Sequence, residues 1–224
     1  MITTNVIERP ILYSTEMVLG ILDERKTKTR RTKGLEYINN APDRWVIKPS
    51  LELGKTNYTF EDIFGLEKFV PKCPYGKVGD ILWVRETWNN WGAKEVPFVY
   101  RATDLRSCGH NWKPSIHMPK KAARIWLQIT DLRVEHLHDI SEHDAITEGI
   151  EIKKDCDGDI YKDYEAKTEV SDFGDTYYTN PVLSFKSLWV KINGKESWIS
   201  NPWVWVIKFK VLSTTGKPES LEHA

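Results

Sequence analysis

Arg25-Lys26-Thr27-Lys28-Thr29-Arg30-Arg31 decides how the chain is read, because the segments on its two sides differ in kind. An apolar segment, Ile11 to Leu22, runs into it, and a long polar stretch follows. Six of the ten residues from Glu24 to Lys33 are Lys or Arg, whereas the whole chain carries 32 basic and 32 acidic side chains. Local positive charge in a neutral protein points to a site for an anion, not to a surface-wide polyelectrolyte. Thr27 and Thr29 place hydroxyls among the cations and add nucleophilic or hydrogen-bonding capacity. The plainer alternative is a solvated helix end, since cations favour a helix's last turn. Lys26 and Thr29 share a face if a helix continues through them. The stretch offers no apolar stripe, so a loop that frees backbone N–H groups for a ligand is the expectation.

Working outward, Ile11-Leu12-Tyr13 reads as a short strand, and Ser14 as the cap of a helix that buries Met17, Val18, Ile21 and Leu22. Residues 33–75 read as connection or insertion, with one strand at Trp45-Val46-Ile47-Lys48. A turn at Val78-Gly79-Asp80 leads into a strand at 81–86, and Pro97 to Ala102 reads as another. Trp112 to Pro119 contains two prolines and is expected to be irregular. Arg124 to Thr130 alternates as a strand, with Ile125, Leu127 and Ile129 on one face, and continues to Glu135. Ile140 to Ile150 is a helix capped by Ser141, with Asp144 able to reach back as a variant capping box and Gly149 as the stop. Residues 151–180 are acidic and aromatic and read as a mobile insertion. Asp155, Asp157 and Asp159 do not make a calcium loop, because Gly158 is misplaced and no glutamate follows at the required distance. Phe185 to Ile192 forms a helix that ends at Asn193-Gly194, and Asn201 to Lys210 is a strand apolar on both faces, hence central. Few elements alternate as βαβ, which argues for an α+β protein with a mainly antiparallel, barrel-like sheet.

Composition sets outer limits. At 224 residues the chain can bury a core as one large or two small domains. No apolar run reaches the length of a membrane span, and the first residues lack the basic and apolar regions of a signal peptide. With three scattered cysteines, a reducing cytoplasmic location is expected. Cys73, Cys108, Cys156, His110 and His117 lack zinc-ligand spacing, so no metal and no cofactor is expected. Ten Trp hint at an aromatic-lined surface. Trp83, Trp88, Trp91 and Trp112 are candidates to stack a base, with Trp88 and Trp91 expected to be the most exposed; for any one of them core packing is the commoner fate.

Four motifs in order resemble the signature of the ASCH domain family: the Arg25 to Arg31 stretch after its apolar helix, Gly79-Asp80-Ile81-Leu82-Trp83-Val84, the Ile140 to Gly149 helix, and the closing Trp205-Val206-Ile207-Lys208-Phe209 strand. Pro114-Ser115-Ile116-His117-Met118-Pro119 and Ser200-Asn201-Pro202-Trp203-Val204-Trp205 resemble the larger phage- and prophage-encoded members. The resemblance implies one PUA-like β-barrel domain over 1–224 with flanking helices and insertions at about 33–75 and 151–180. The family is thought to bind RNA or modified nucleosides, and its small bacterial members remove the acetyl group from N4-acetylcytidine. Their catalytic Lys, Thr and Glu fall on Lys26, Thr29 and Glu148. Thr29 is then the nucleophile, Lys26 its base and Glu148 the proton shuttle to the leaving amine. Arg25, Arg30, Arg31, Trp88, Trp112, Lys120 and Lys121 are candidate contacts to nucleic acid or substrate.

Two other classes of function compete with an amidohydrolase. One is a module that binds RNA or a modified nucleotide without turnover; the other is a phage accessory protein that engages a host protein through its insertions. Neutral net charge disfavours a long RNA footprint but leaves a one-nucleoside pocket open.

Overall fold

Hydrophobic alternation and two serine caps set most element boundaries in the computed structural model, which describes residues 6–48, 58–92, 94, 97–104, 111–166 and 176–221. Its strands are β1 (Glu8–Leu12), β2 (Lys28–Arg31), β3 (Trp45–Lys48), β4 (Thr59–Asp62), β5 (Lys68–Phe69), β6 (Ile81–Arg85), β7 (Trp88–Asn89) and β8 (Val99–Tyr100). They continue with β9 (Trp126–His136), β10 (Ile152–Asp155), β11 (Gly158–Lys162), β12 (Tyr177–Tyr178) and β13 (Trp203–Ser213). The α-helices are α1 (Thr15–Leu22), α2 (Glu36–Asn39), α3 (Glu142–Thr147), α4 (Pro181–Asn193) and α5 (Lys195–Ile199). This is an α+β protein, and its strand pairs are mostly antiparallel, as expected; β1 and β6 run parallel. Among the described residues no helix is long and apolar enough to cross a membrane.

The chain divides into two units. The first comprises residues 1–24, 75–131 and 209–224. There β6 lies between β1 and β9, with Leu82 opposite both Arg9 and Leu127. Asp80 clasps the start of this arrangement: one carboxylate oxygen accepts from the Ile7 amide (3.1 Å) and the other from Arg9 (2.8 Å) and the Lys77 amide (3.1 Å). Ser14 caps α1 by accepting from the Met17 amide. Ile81, Trp88, Met118, Ala122, Ala123 and Trp126 form a core cluster.

The second unit comprises residues 25–74 and 132–208. Here β13 pairs antiparallel with β2, in the register Trp205–Arg31, Val206–Arg30, Ile207–Thr29 and Lys208–Lys28. The central position expected for β13 holds, and Val204, Val206 and Ile207 are fully buried. Phe185, Leu188 and Trp189 of α4 pack with Val204, Val206, Leu137, Ala145 and Ile150.

Several expectations change. The second half of the basic stretch is strand β2, not a loop or a helix end, and Lys26 just before it forms a bridge to Glu148: Lys26, Lys28 and Arg30 alternate onto one face and meet carboxylates there, so no apolar stripe is needed. The strand expected over 97–102 is reduced to β8, because Arg101 to Thr103 turn away. Residues 33–75 are more than a connection, since β3, β4 and β5 form a small antiparallel sheet. The 151–180 stretch carries the β10–β11 hairpin and its partner β12. Tyr161 and Tyr164 from that stretch enter the α4 core, so these residues are packed, not a loose acidic insertion. Residues 49–57 and 167–175 lie outside the described residues.

Candidate catalytic site

Two short elements bring the charges together. Ser141 caps α3 by accepting from the Asp144 amide, and the helix ends at Glu148 with Gly149 in the left-handed region (φ 91°). Asp144 and Glu148, four residues apart, share the helix face turned toward β2. The chain entering β2 zips onto the helix exit. The Thr27 amide donates to the Thr147 carbonyl (2.9 Å), Lys26 bridges Glu148, and Arg25 donates to the carbonyls of Gly149 (2.5 Å) and Ile150 (3.1 Å). Arg25 therefore holds the backbone of this unit.

Lys26 Nζ donates to Glu148 Oε2 (2.9 Å) and to the carbonyls of Glu148 (2.7 Å) and Lys28 (2.8 Å). Glu148 Oε1 accepts from Arg30 Nη1 (3.0 Å). Arg30 Nη2 reaches Glu135 (2.6 Å) and Asp144 (3.0 Å). Lys28 and Arg133 also bond Asp144, and Arg133 Nε meets Glu135 (2.9 Å). Asp144 is spent on these cations, so the capping box expected of it is replaced by ion pairing. The group comprises four cations, Lys26, Lys28, Arg30 and Arg133, and three carboxylates, Glu135, Asp144 and Glu148. Loss of one proton from Lys26 would balance it.

Burial pushes the Lys26 pKa below the ordinary lysine value; Glu148 pushes it back up, and Arg31 and Arg30 add to the depression. For Arg30 burial works in the same downward direction, but Glu148, Glu135 and Asp144 outweigh it and hold the guanidinium above its usual value. Burial opposes ionisation of Asp144, yet Lys28, Arg30 and Arg133 bring its pKa down to about 2.

Thr29 is fully buried, and its Oγ1 has no hydrogen-bond partner among the described residues. By strand alternation it lies on the face of β2 opposite Lys28 and Arg30. The structure therefore joins Lys26 to Glu148 directly and leaves Thr29 unbonded to either. Arg31, half-buried, shares the Thr29 face.

Trp88, Trp112, Lys120 and Lys121 belong to the first unit. Trp88 is buried against Phe98 (ring centroids 5.7 Å) in the core cluster there, which corrects its expected exposure. Trp112 and Trp91 are half-buried and pack on each other at 5.0 Å. Lys120 and Lys121 are exposed, and Lys120 pairs with Glu8. Cys73 and Cys156 are free thiols, Cys108 and His110 lie outside the described residues, and no metal-holding cluster occurs among the described residues.

Sequence reasoning missed Lys28, Arg133, Glu135 and Asp144 as members of the group. The signal was present: Lys26-x-Lys28-x-Arg30 and Arg133-x-Glu135 have strand period, and Asp144-x-x-x-Glu148 has helix period. Compared with known proteins, the chain matches no family model, no curated protein and no solved structure.

Proposed function

We propose that the second unit carries an amidohydrolase site for an acylated cytidine, in an ASCH-type fold whose sheet belongs to a PUA-like barrel. The observation that carries this reading is the buried Lys26–Glu148 pair at 2.9 Å, with Lys26 three residues before a buried threonine hydroxyl that has no hydrogen-bond partner among the described residues. Buried polar groups are nearly always bonded, and burying paired charges is costly, so both features are better explained by chemistry than by stability.

In this mechanism Lys26 enters neutral, favoured by its burial and by the surplus positive charge around it. Thr29 Oγ attacks the acyl carbon and its proton passes to Lys26. The tetrahedral intermediate collapses as Glu148 relays the proton held by Lys26 to the departing cytosine amine, which returns Lys26 to its neutral form. A water molecule then hydrolyses the threonine ester, releasing the carboxylic acid. The net change is amide plus water to amine plus acid. Because Thr29 lies on the face of β2 opposite Lys26, this mechanism requires the 26–29 segment to shift on substrate binding so that the hydroxyl comes within reach of the amine.

One observation favours a second reading. Lys26 Nζ already donates to three acceptors, which suits a permanent ammonium acting as scaffold. The unit would then bind RNA or a modified nucleotide without turnover.

Hydrolysis of N4-acetylcytidine by the purified protein separates the two readings. Turnover by the wild type, lost in Thr29→Val and Glu148→Gln proteins that retain the wild-type circular dichroism, is expected. A folded wild type that releases no cytidine, or full turnover by Thr29→Val, overturns the hydrolase.

A further inference from the structure

Glu148 is shared by two cations: its Oε2 accepts from Lys26 (2.9 Å) and its Oε1 from Arg30 (3.0 Å). Among the described residues Arg30 is also the one cation of the group that reaches all three carboxylates, since its Nη2 extends to Glu135 and Asp144. The planar fork makes this possible, because its two Nη groups point to different partners at fixed angles. The guanidinium carbon lies 5.7 Å from the Phe185 ring centroid, so α4 supplies a wall beside the fork. Arg30 Nε has no hydrogen-bond partner among the described residues, although the side chain is fully buried. Leaving that donor unpaired is costly, so the fork is set by the aim of Nη1 and Nη2 and not by full satisfaction of its donors.

Charges reach Lys26 from each element packed around it. Its own segment brings Lys28, Arg30 and Arg31, β9 brings Arg133 and Glu135, and α3 brings Asp144 and Glu148. On β13, Lys208 lies opposite Lys28, and α4 presents the uncharged Phe185. Glu148 is the carboxylate that Lys26 bonds, so what Glu148 offers decides how firmly the ammonium is held. A carboxylate whose other oxygen is bonded by a guanidinium presents an ammonium with less net negative charge.

We propose that Arg30 is the positioning residue of this pair: by holding Glu148 Oε1 it keeps Oε2 on Lys26 and offsets the carboxylate's charge, so that Lys26 can release its proton inside the group. The use of that proton in amide hydrolysis rests on the hydrolase reading; the effect of Arg30 on Lys26 does not. The lowered pKa of Lys26, set by burial and by Arg31 and Arg30 against the pull of Glu148, agrees in direction. Without the Arg30 charge three cations, Lys26, Lys28 and Arg133, would face three carboxylates, Glu135, Asp144 and Glu148, a balanced set in which Lys26 keeps its proton. Loss of the Arg133 charge leaves the same count, but Arg133 bonds Asp144 and Glu135 and not Glu148. The two arginines therefore separate a hold on Glu148 from net charge.

The test is NMR titration of the Lys26 amine in the full chain, isotope-labelled at lysine and free of substrate, with the signal assigned by its absence from the Lys26→Arg protein. Arg30→Met, Arg30→Lys and Arg133→Met are compared with the wild type, and thermal melting verifies folding. In the wild type Lys26 should lose its proton at lower pH than the exposed lysines. At a given pH its neutral fraction should fall about tenfold in Arg30→Met and no more than about threefold in Arg133→Met. Arg30→Lys keeps the charge but not the fork, and should fall between the wild type and Arg30→Met. Equal falls in Arg30→Met and Arg133→Met overturn the assignment, because net charge then acts without the hold on Glu148. A wild-type titration in Arg30→Lys also overturns it, and this variant decides if Arg30→Met does not fold. A wild-type Lys26 that titrates with the exposed lysines overturns it outright. Turnover of N4-acetylcytidine is followed beside the titration. If the hydrolase reading holds, the acid limb of kcat/KM moves to higher pH in Arg30→Met. The expected titrations without turnover by the wild type keep the assignment and remove the hydrolase.

Discussion

Thr29 and Lys26 differ in what each is worth to the fold, and that difference separates function from stability one residue at a time. Thr29 Oγ1 has no hydrogen-bond partner among the described residues, so Thr29→Val exchanges an unsatisfied buried hydroxyl for a methyl of similar size. Stability should stay within about 1 kcal/mol of wild type, on either side, while turnover is lost. Urea denaturation beside the acetylcytidine assay measures both, and a large loss of stability would show that the hydroxyl has a structural partner. Lys26→Met is the opposite case. It strips the donor from Glu148 Oε2 and from two carbonyls in a buried setting, and should cost about 3–5 kcal/mol, read as a lowered urea midpoint at unchanged slope. Asp144 supplies a pH signature. Its folded pKa of about 2 lies below the ordinary 3.8, so its contribution is fully present above the ordinary value and is lost as pH falls through the folded one. Between about pH 4 and pH 2 the wild type should lose more stability than Asp144→Asn does. Parallel acid-unfolding curves for the two would contradict the ion-pair geometry.

At the scale of elements, the contact that assembles the site is the exit of α3 against the entry to β2, and Gly149 controls it. Its φ of 91° is left-handed, and a Cβ there would lie 2.7 Å from Lys26 Cβ and 3.3 Å from Lys26 Cα. Gly79 has nearly the same φ, 93°, and an added Cβ there meets nothing within 4 Å. Both alanine substitutions incur the left-handed penalty of about 1–2 kcal/mol. Only Gly149→Ala should also displace Lys26 and reduce turnover at least tenfold, which stability and activity measured on the two variants would compare directly. This docking also explains what could be read from the sequence. Caps and apolar alternation are local, so Ser14, Ser141, α4, β9 and β13 were legible. The basic stretch was misread because its stabilising partners are carboxylates more than a hundred residues away, and charge opposite charge leaves no apolar period to detect. Helix α5 was missed because it spans five residues right after a Gly194 stop. Of the candidate site, Lys26 with Glu148 was legible through a resemblance of motifs. The opposite-facing placement of Thr29 was not, since it depends on the strand that replaced the expected loop.

For the molecule as a whole, charge balance decides which nucleic-acid partner is physically reasonable. The chain has as many acidic as basic side chains, and the densest cationic stretch is not a free electropositive surface. Lys26, Lys28 and Arg30 are buried and bonded to Glu148, Asp144 and Glu135. Cations committed in this way cannot also neutralise phosphates, so an extended RNA would gain little from counterion release. A pocket that takes one nucleoside contacts at most one or two phosphates. Each contributes a slope of about −0.7 in log affinity against log salt for a single strand. Raising salt from about 50 to 200 mM should therefore weaken binding of a short single-stranded RNA only about three- to sevenfold. Binding of the free nucleoside, which carries no phosphate, should be unchanged over the same range. Fluorescence anisotropy with a labelled oligonucleotide, beside calorimetry with the nucleoside, gives both numbers. A loss near a thousandfold for the RNA would mean about seven phosphates engaged. The committed cations of β2 do not supply that number, so such a loss would require an extended footprint on other basic residues and would favour RNA binding over a nucleoside hydrolase.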